Sequence, residues 1–80
     1  MRLLIIDDDK ELCALLDELL RRENLELDFA HNGQHGLDRF RKGGIDLVVL
    51  DVMLPGIDGF EVLRAIRKDS NIPVIMLTAR

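Results

Sequence analysis

Eighty residues leave room for one domain, and a chain of this length withdraws only about 60–65% of its unfolded surface from water, so its core is small. A formal net charge of −4, with 15 acidic against 11 basic residues, argues against nucleic acid as a direct partner of this segment. No apolar run approaches the ~20 residues of a membrane span, no signal-peptide pattern opens the chain, and the single cysteine, Cys13, excludes an internal disulfide and suits a reducing, cytoplasmic address.

The first element is an apolar run, Leu3 to Ile6, too short for a helix and suited to a buried strand. It stops at Asp7, Asp8 and Asp9. Leu12, Leu15, Leu16, Leu19 and Leu20 then follow the i, i+3, i+4, i+7, i+8 spacing of one helix face. Acids before that helix and Arg21 and Arg22 at its end both suit the helix dipole. Glu26 to Ala30 alternates polar and apolar, as an edge or half-buried strand does. Asn32-Gly33 opens a second, weaker helix carrying Leu37 and Phe40, and Arg41, Lys42 and Gly43-Gly44 close it.

Ile45 to Leu50 has no polar alternation and reads as a strand buried on both faces, ending on Asp51. Pro55-Gly56 marks a turn, and Asp58 with Glu61 has capping-box spacing at the start of a third helix containing Phe60, Val62, Leu63 and Ile66. After Arg67 and Lys68 a polar loop leads to a last apolar strand, Pro73 to Leu77, and then to Thr78. The pattern is βαβαβαβ, an α/β fold whose parallel strands are joined by right-handed crossovers.

Parallel strands align their carboxyl ends, where open α/β sheets place their chemistry. Asp7, Asp8, Asp51 and Thr78 therefore converge at one sheet edge. Carboxylates packed ~4 Å apart repel by about 4 kcal/mol per pair at an effective dielectric of ~20, and a hard divalent cation resolves that conflict. Mg²⁺ suits one or two carboxylates with retained waters and a phosphate oxygen. A carboxylate such as Asp51 can also act as a nucleophile and form an aspartyl-phosphate, with Thr78 able to hydrogen-bond the phosphoryl oxygens. Plainer roles compete: an N-cap is the favoured reading of Asp9, first-turn or loop positions that of His31 and His35, packing that of Cys13, Met53 and Met76.

Strand-DDD, LVVLDVMLPGIDGFEVLRAIR and PVIMLTAR together resemble the receiver domain of two-component response regulators, along the whole chain. IIDDDKELCALLDELL and IPVIMLTAR are similar to the OmpR-like winged-helix branch and to its CpxR-type members. The resemblance implies a flavodoxin-like (CheY-like), doubly wound parallel sheet, with strand order 2-1-3-4 in the part present. It implies transfer of a phosphoryl group from a sensor histidine kinase to Asp51, with Mg²⁺ required and no turnover catalysis. Asp8 matches the direct metal ligand and Asp7 a ligand through water. Met53 matches the position whose backbone carbonyl completes the metal site, and Thr78 the switch hydroxyl. Pro55 and Gly59 match the turn and close-approach positions after the acceptor.

A full receiver would continue beyond Arg80 through a further helix, a strand carrying a phosphate-binding lysine, and a last helix. The chain thus reads as the N-terminal part, residues 1–80, of such a domain. DNA contact is expected only through an effector domain outside it. An edge at Val74 to Thr78 and a sheet face covered by the first helix alone lead to an expected dimer or swapped oligomer. Without the lysine, acetyl phosphate with Mg²⁺ is expected to label the chain weakly. The other readings are a non-signalling fragment that oligomerises through its exposed sheet, and a haloacid-dehalogenase-like phosphohydrolase. The latter wants a second aspartate two residues after the first, where this chain has Met53. No Gly-rich nucleotide loop follows any strand.

Overall fold

A computed structural model describes residues Met1 to Leu77. Four strands alternate with three helices: β1 (Arg2–Ile6), α1 (Lys10–Arg21), β2 (Glu26–Ala30), α2 (Gly33–Arg41), β3 (Leu47–Asp51), α3 (Gly59–Arg67) and β4 (Val74–Leu77). All strand pairs are parallel and the sheet order is β2-β1-β3-β4, the order the resemblance implied.

Side-chain alternation along the strands divides the core in two. Leu4 and Ile6 of β1 and Val48 and Leu50 of β3 point to one face, where Leu37 of α2 and Val62 and Ile66 of α3 bury them completely or nearly so. Leu3 and Ile5 of β1 and Leu27 of β2 point to the other, where α1 contributes Cys13. α2 lies close enough to β1 that a Cβ on Gly36 would sit 2.8 Å from Cγ1 of Ile6.

The second face is thinner. Leu47 and Val49 pack against its cluster but stay partly buried, and Ile75 of the edge strand β4 is 50% exposed. β3 is therefore sealed on one face and half-covered on the other, where burial on both faces was expected. The leucine stripe of α1 is covered in part as well: Leu15 and Leu19 remain half exposed, and the buried residue of that helix is Cys13.

Helix ends follow the local chemistry. Asp9 caps α1 by accepting the Leu12 N–H at 3.0 Å, and Asn32 caps α2 by accepting that of His35 at 2.8 Å. Asp58 and Glu61 complete a reciprocal capping box on α3. The last turns carry Arg21 in α1, Arg39 and Arg41 in α2, and Arg64 and Arg67 in α3.

Two strand starts differ from the sequence reading. Gly43 and Gly44, at φ +87° and +83°, turn the chain so that Ile45 tucks into the α2–α3 core as a loop residue. Asp46 then accepts the Arg2 N–H at 2.8 Å, and β3 begins only at Leu47. β4 begins at Val74 because Pro73 has no N–H to give a ladder, though its carbonyl accepts Val48 N–H at 3.1 Å.

Candidate functional site

The site follows from strand register. Ile6 of β1 stands opposite Leu50 of β3, so the next residues along the two strands, Asp7 and Asp51, emerge side by side at the carboxyl edge of the sheet. Asp8 follows in the turn before α1. One oxygen from each of Asp7, Asp8 and Asp51 lies within 4.8 Å of the others. Asp7 is 2% and Asp51 1% exposed, while Asp8 faces solvent.

Backbone groups hold the two buried acids. Oδ1 of Asp51 accepts the Met53 N–H at 3.1 Å, and Oδ1 of Asp7 accepts the Asp9 N–H at 2.9 Å. The loop after Asp51 folds back on itself: Gly59 N–H donates to the Val52 carbonyl at 3.1 Å, and a Cβ on Gly59 would meet the Asp51 carbonyl oxygen and lie 2.8 Å from Val52 Cα. Glycine is required there by close backbone approach. Gly56, at φ +75°, makes the turn that Pro55-Gly56 signalled.

Three carboxylates at this spacing repel by about 3 kcal/mol per pair at an effective dielectric of ~20. Their oxygens, two sets buried and one open to water, form a hard donor set of the kind that suits a divalent cation with coordinated waters. Met53 lies in the loop beside Asp51 with its side chain 61% exposed, so packing does not explain it. Thr78, the expected hydroxyl, lies outside the described residues.

Two residues reach the site that sequence reasoning assigned elsewhere. Because Ile6 pairs with Ala30, the residue after β2 is brought against the residue after β1. His31 Nδ1 lies 3.0 Å from the Asp7 carbonyl oxygen, and Cys13 Sγ lies 3.7 Å from the same oxygen. A carbonyl oxygen only accepts, so Nδ1 of His31 carries the hydrogen. Burial pushes the Cys13 thiol up to about 11, with the charges of Asp7, Asp9 and Asp8 adding to the effect. His35 goes its own way, its ring meeting the Asn32 side chain at 3.3 Å.

Residues 3–80 match the family described as the response regulator receiver domain. The chain belongs to that family. Among curated relatives, this receiver chain is 47% identical over 79 residues to the transcriptional regulatory protein CpxR of Escherichia coli K12, covering 99% of the chain and 34% of CpxR. It therefore spans about a third of the length of the curated relatives it matches. Among solved structures it is similar to the Thermotoga maritima response regulator TrrA in complex with Mg²⁺-BeF, at TM-score 0.90 and 44% identity, covering 99% of the chain and 70% of that one. TrrA in complex with the histidine kinase ThkA matches at TM-score 0.90 and 44% identity, covering 98% and 68%. Among the described residues of the receiver, no helix is long and apolar enough to cross a membrane.

Proposed function

We propose that this receiver accepts a phosphoryl group on Asp51 from a sensor histidine kinase, with Mg²⁺ held by Asp7, Asp8, Asp51 and the backbone carbonyl of Met53. The observation that carries this reading is the gathering of three carboxylates, two of them buried, from two adjacent strand ends and a turn. Carboxylates gathered this closely repel one another, and their donor chemistry fits a small hard cation. The complexes of TrrA with Mg²⁺-BeF and with a histidine kinase support the same assignment by similarity.

A carboxylate oxygen of Asp51 attacks phosphorus in the donor phosphohistidine. The new P–O bond forms as the P–N bond breaks, and the imidazole leaves with the electron pair. When bound, Mg²⁺ supplies charge neutralisation for the phosphoryl oxygens. The Met53 N–H on Oδ1 holds the Asp51 carboxylate in place, and Gly59 keeps the following loop tight against the Asp51 backbone. Thr78 is proposed as the hydroxyl that hydrogen-bonds the transferred group. The module carries a signal and is not a turnover enzyme. Its address is the cytoplasm. Its proposed output is transcriptional, through a DNA-binding effector domain outside residues 1–80, of which this chain forms the N-terminal receiver part.

Mg²⁺ titration followed by ¹H–¹⁵N NMR tests the site. Saturable shifts at Asp7, Asp8 and Asp51 are expected in the parent chain, and their loss is expected in Asp51→Asn. Equal Mg²⁺ affinity in the two proteins would rule the site out. Labelling by acetyl phosphate is expected to be sparse and confined to Asp51, as intact-mass and peptide mass spectrometry can read.

The half-covered sheet face supports a second reading, self-association through β4. Ile75 is 50% exposed on an edge strand whose neighbours Leu47 and Val49 are also incompletely buried. Sedimentation at micromolar concentration is expected to show a dimer or larger species, which Ile75→Lys disperses. A sharp monomer for the parent chain removes this reading.

A further inference from the structure

We propose that His31 is a positioning residue for the acidic site, holding the end of β1 through the Asp7 backbone and so setting how tightly Asp7 and Asp8 take Mg²⁺. This rests on the proposed Mg²⁺ site and adds to it a residue from just beyond β2. The backbone of Asp7 is anchored through both of its flanking peptides. Its N–H donates to the Ala30 carbonyl at 3.0 Å, and its carbonyl accepts from His31 Nδ1, also at 3.0 Å. Ala30 and His31 are consecutive, so the end of β2 grips one residue of β1 at its donor and at its acceptor. Cys13 Sγ approaches the same carbonyl from α1 at 3.7 Å.

The grip falls where the chain stops being a strand. Beyond Ile6 no further residue of β1 pairs in the sheet, and Asp7 and Asp8 must leave the ladder to face Asp51. The Asp7 carbonyl belongs to the peptide that joins Asp7 to Asp8. Holding that oxygen restrains the plane of the peptide, and with it the directions in which the two side chains leave the backbone. Partners that orient the groups of a metal site from outside it contribute measurably to affinity.

The test uses the chain with His31→Phe, which keeps a ring of similar size without the donor, and His31→Asn, whose side-chain N–H₂ reaches about as far as Nδ1. Mg²⁺ affinity is read by NMR titration, and the thermal unfolding midpoint is measured separately without Mg²⁺. Affinity in His31→Phe is expected to fall about tenfold, with His31→Asn recovering to within about threefold of the parent. Parent-like affinity in His31→Phe, or an equal loss in both variants, overturns the proposal while leaving the Mg²⁺ site standing. A parent chain that binds no Mg²⁺ overturns both. Should His31→Phe not fold, the unaltered chain decides: the ¹⁵N signal of His31 Nδ1 is expected to shift with Mg²⁺ at the same midpoint as the Asp7 signals, and a ring signal indifferent to Mg²⁺ overturns the proposal.

Discussion

The two faces of the sheet are built from the same strands and differ in almost everything else. On the α2–α3 face, Leu4, Ile6, Val48, Leu50, Val62 and Ile66 are sealed, and glycines at positions 33 and 36 let the helix come down onto its neighbours. On the α1 face, one helix serves four strands, leaving Val49 partly covered and Ile75 half in water. One strand can thus read as uniformly apolar while its alternate residues contribute very differently to stability. Stability should sit with the first face and tolerance of change with the second.

The sharpest way to break that comparison is a matched pair on β3. Leu50→Ala is expected to cost about 2–5 kcal/mol in urea unfolding, as a fully buried truncation does. Val49→Ala, one residue earlier on the other face, is expected to cost under about 1 kcal/mol because less area is lost from contact. Equal losses would mean that α1 covers the sheet as well as α2 and α3 do. Gly36→Ala tests the same face by overfilling it, with an expected loss of about 1–3 kcal/mol as Ile6 is pushed aside.

At the strand ends, stability and function oppose one another. Asp51→Asn removes one charge from the cluster and is expected to raise unfolding free energy by about 1 kcal/mol at pH 7 without Mg²⁺, from relief of like-charge repulsion. A thermal melt that shows a loss instead would mean the carboxylate is better compensated than its crowding indicates.

A smaller effect probes the α1 face by pH. The Cys13 thiol is raised from 9.0 to about 11 in the folded chain, so the fold favours the protonated form. Its contribution is fully present below pH 9.0 and is lost as pH rises through about 11. Cys13→Ala should flatten that alkaline decline in urea midpoints; an unchanged slope would assign the decline to other groups. Smallest of all, Leu19→Lys on the exposed side of α1 is expected to stay within about 0.5 kcal/mol of the parent.

Much of this was legible in the residues. Period and punctuation gave all seven elements, and the Asp58–Glu61 spacing gave a real capping box. The convergence of Asp7, Asp8 and Asp51 follows from parallel alignment, which alternation of strands and helices already implies. The strand boundaries at Ile45 and Pro73 were less legible, because a buried loop residue such as Ile45 is as apolar as a strand residue and Pro73 adjoins the strand without an N–H for its ladder. The uneven cover of β3 was hidden for a related reason: a run such as LVVL states that a strand is apolar, not how much helix lies above each face. His31 was not legible as a neighbour of the site because a histidine between a strand and a helix reads as a loop or first-turn residue. The usable signal was its position directly after β2, which register carries to Asp7.

The placement of charge has a consequence of its own. Arginines close all three helices, each at the end away from the acids of the site, and Arg21 and Arg39 pair with Asp17 and Asp28. The three carboxylates of the cluster make the carboxyl edge of the sheet locally negative, where a cation is wanted. A divalent ion approaching from solution is drawn toward that edge before any contact forms. That guidance fades as added salt shortens the Debye length to about 10 Å at 0.1 M, so capture should slow with ionic strength more than release does.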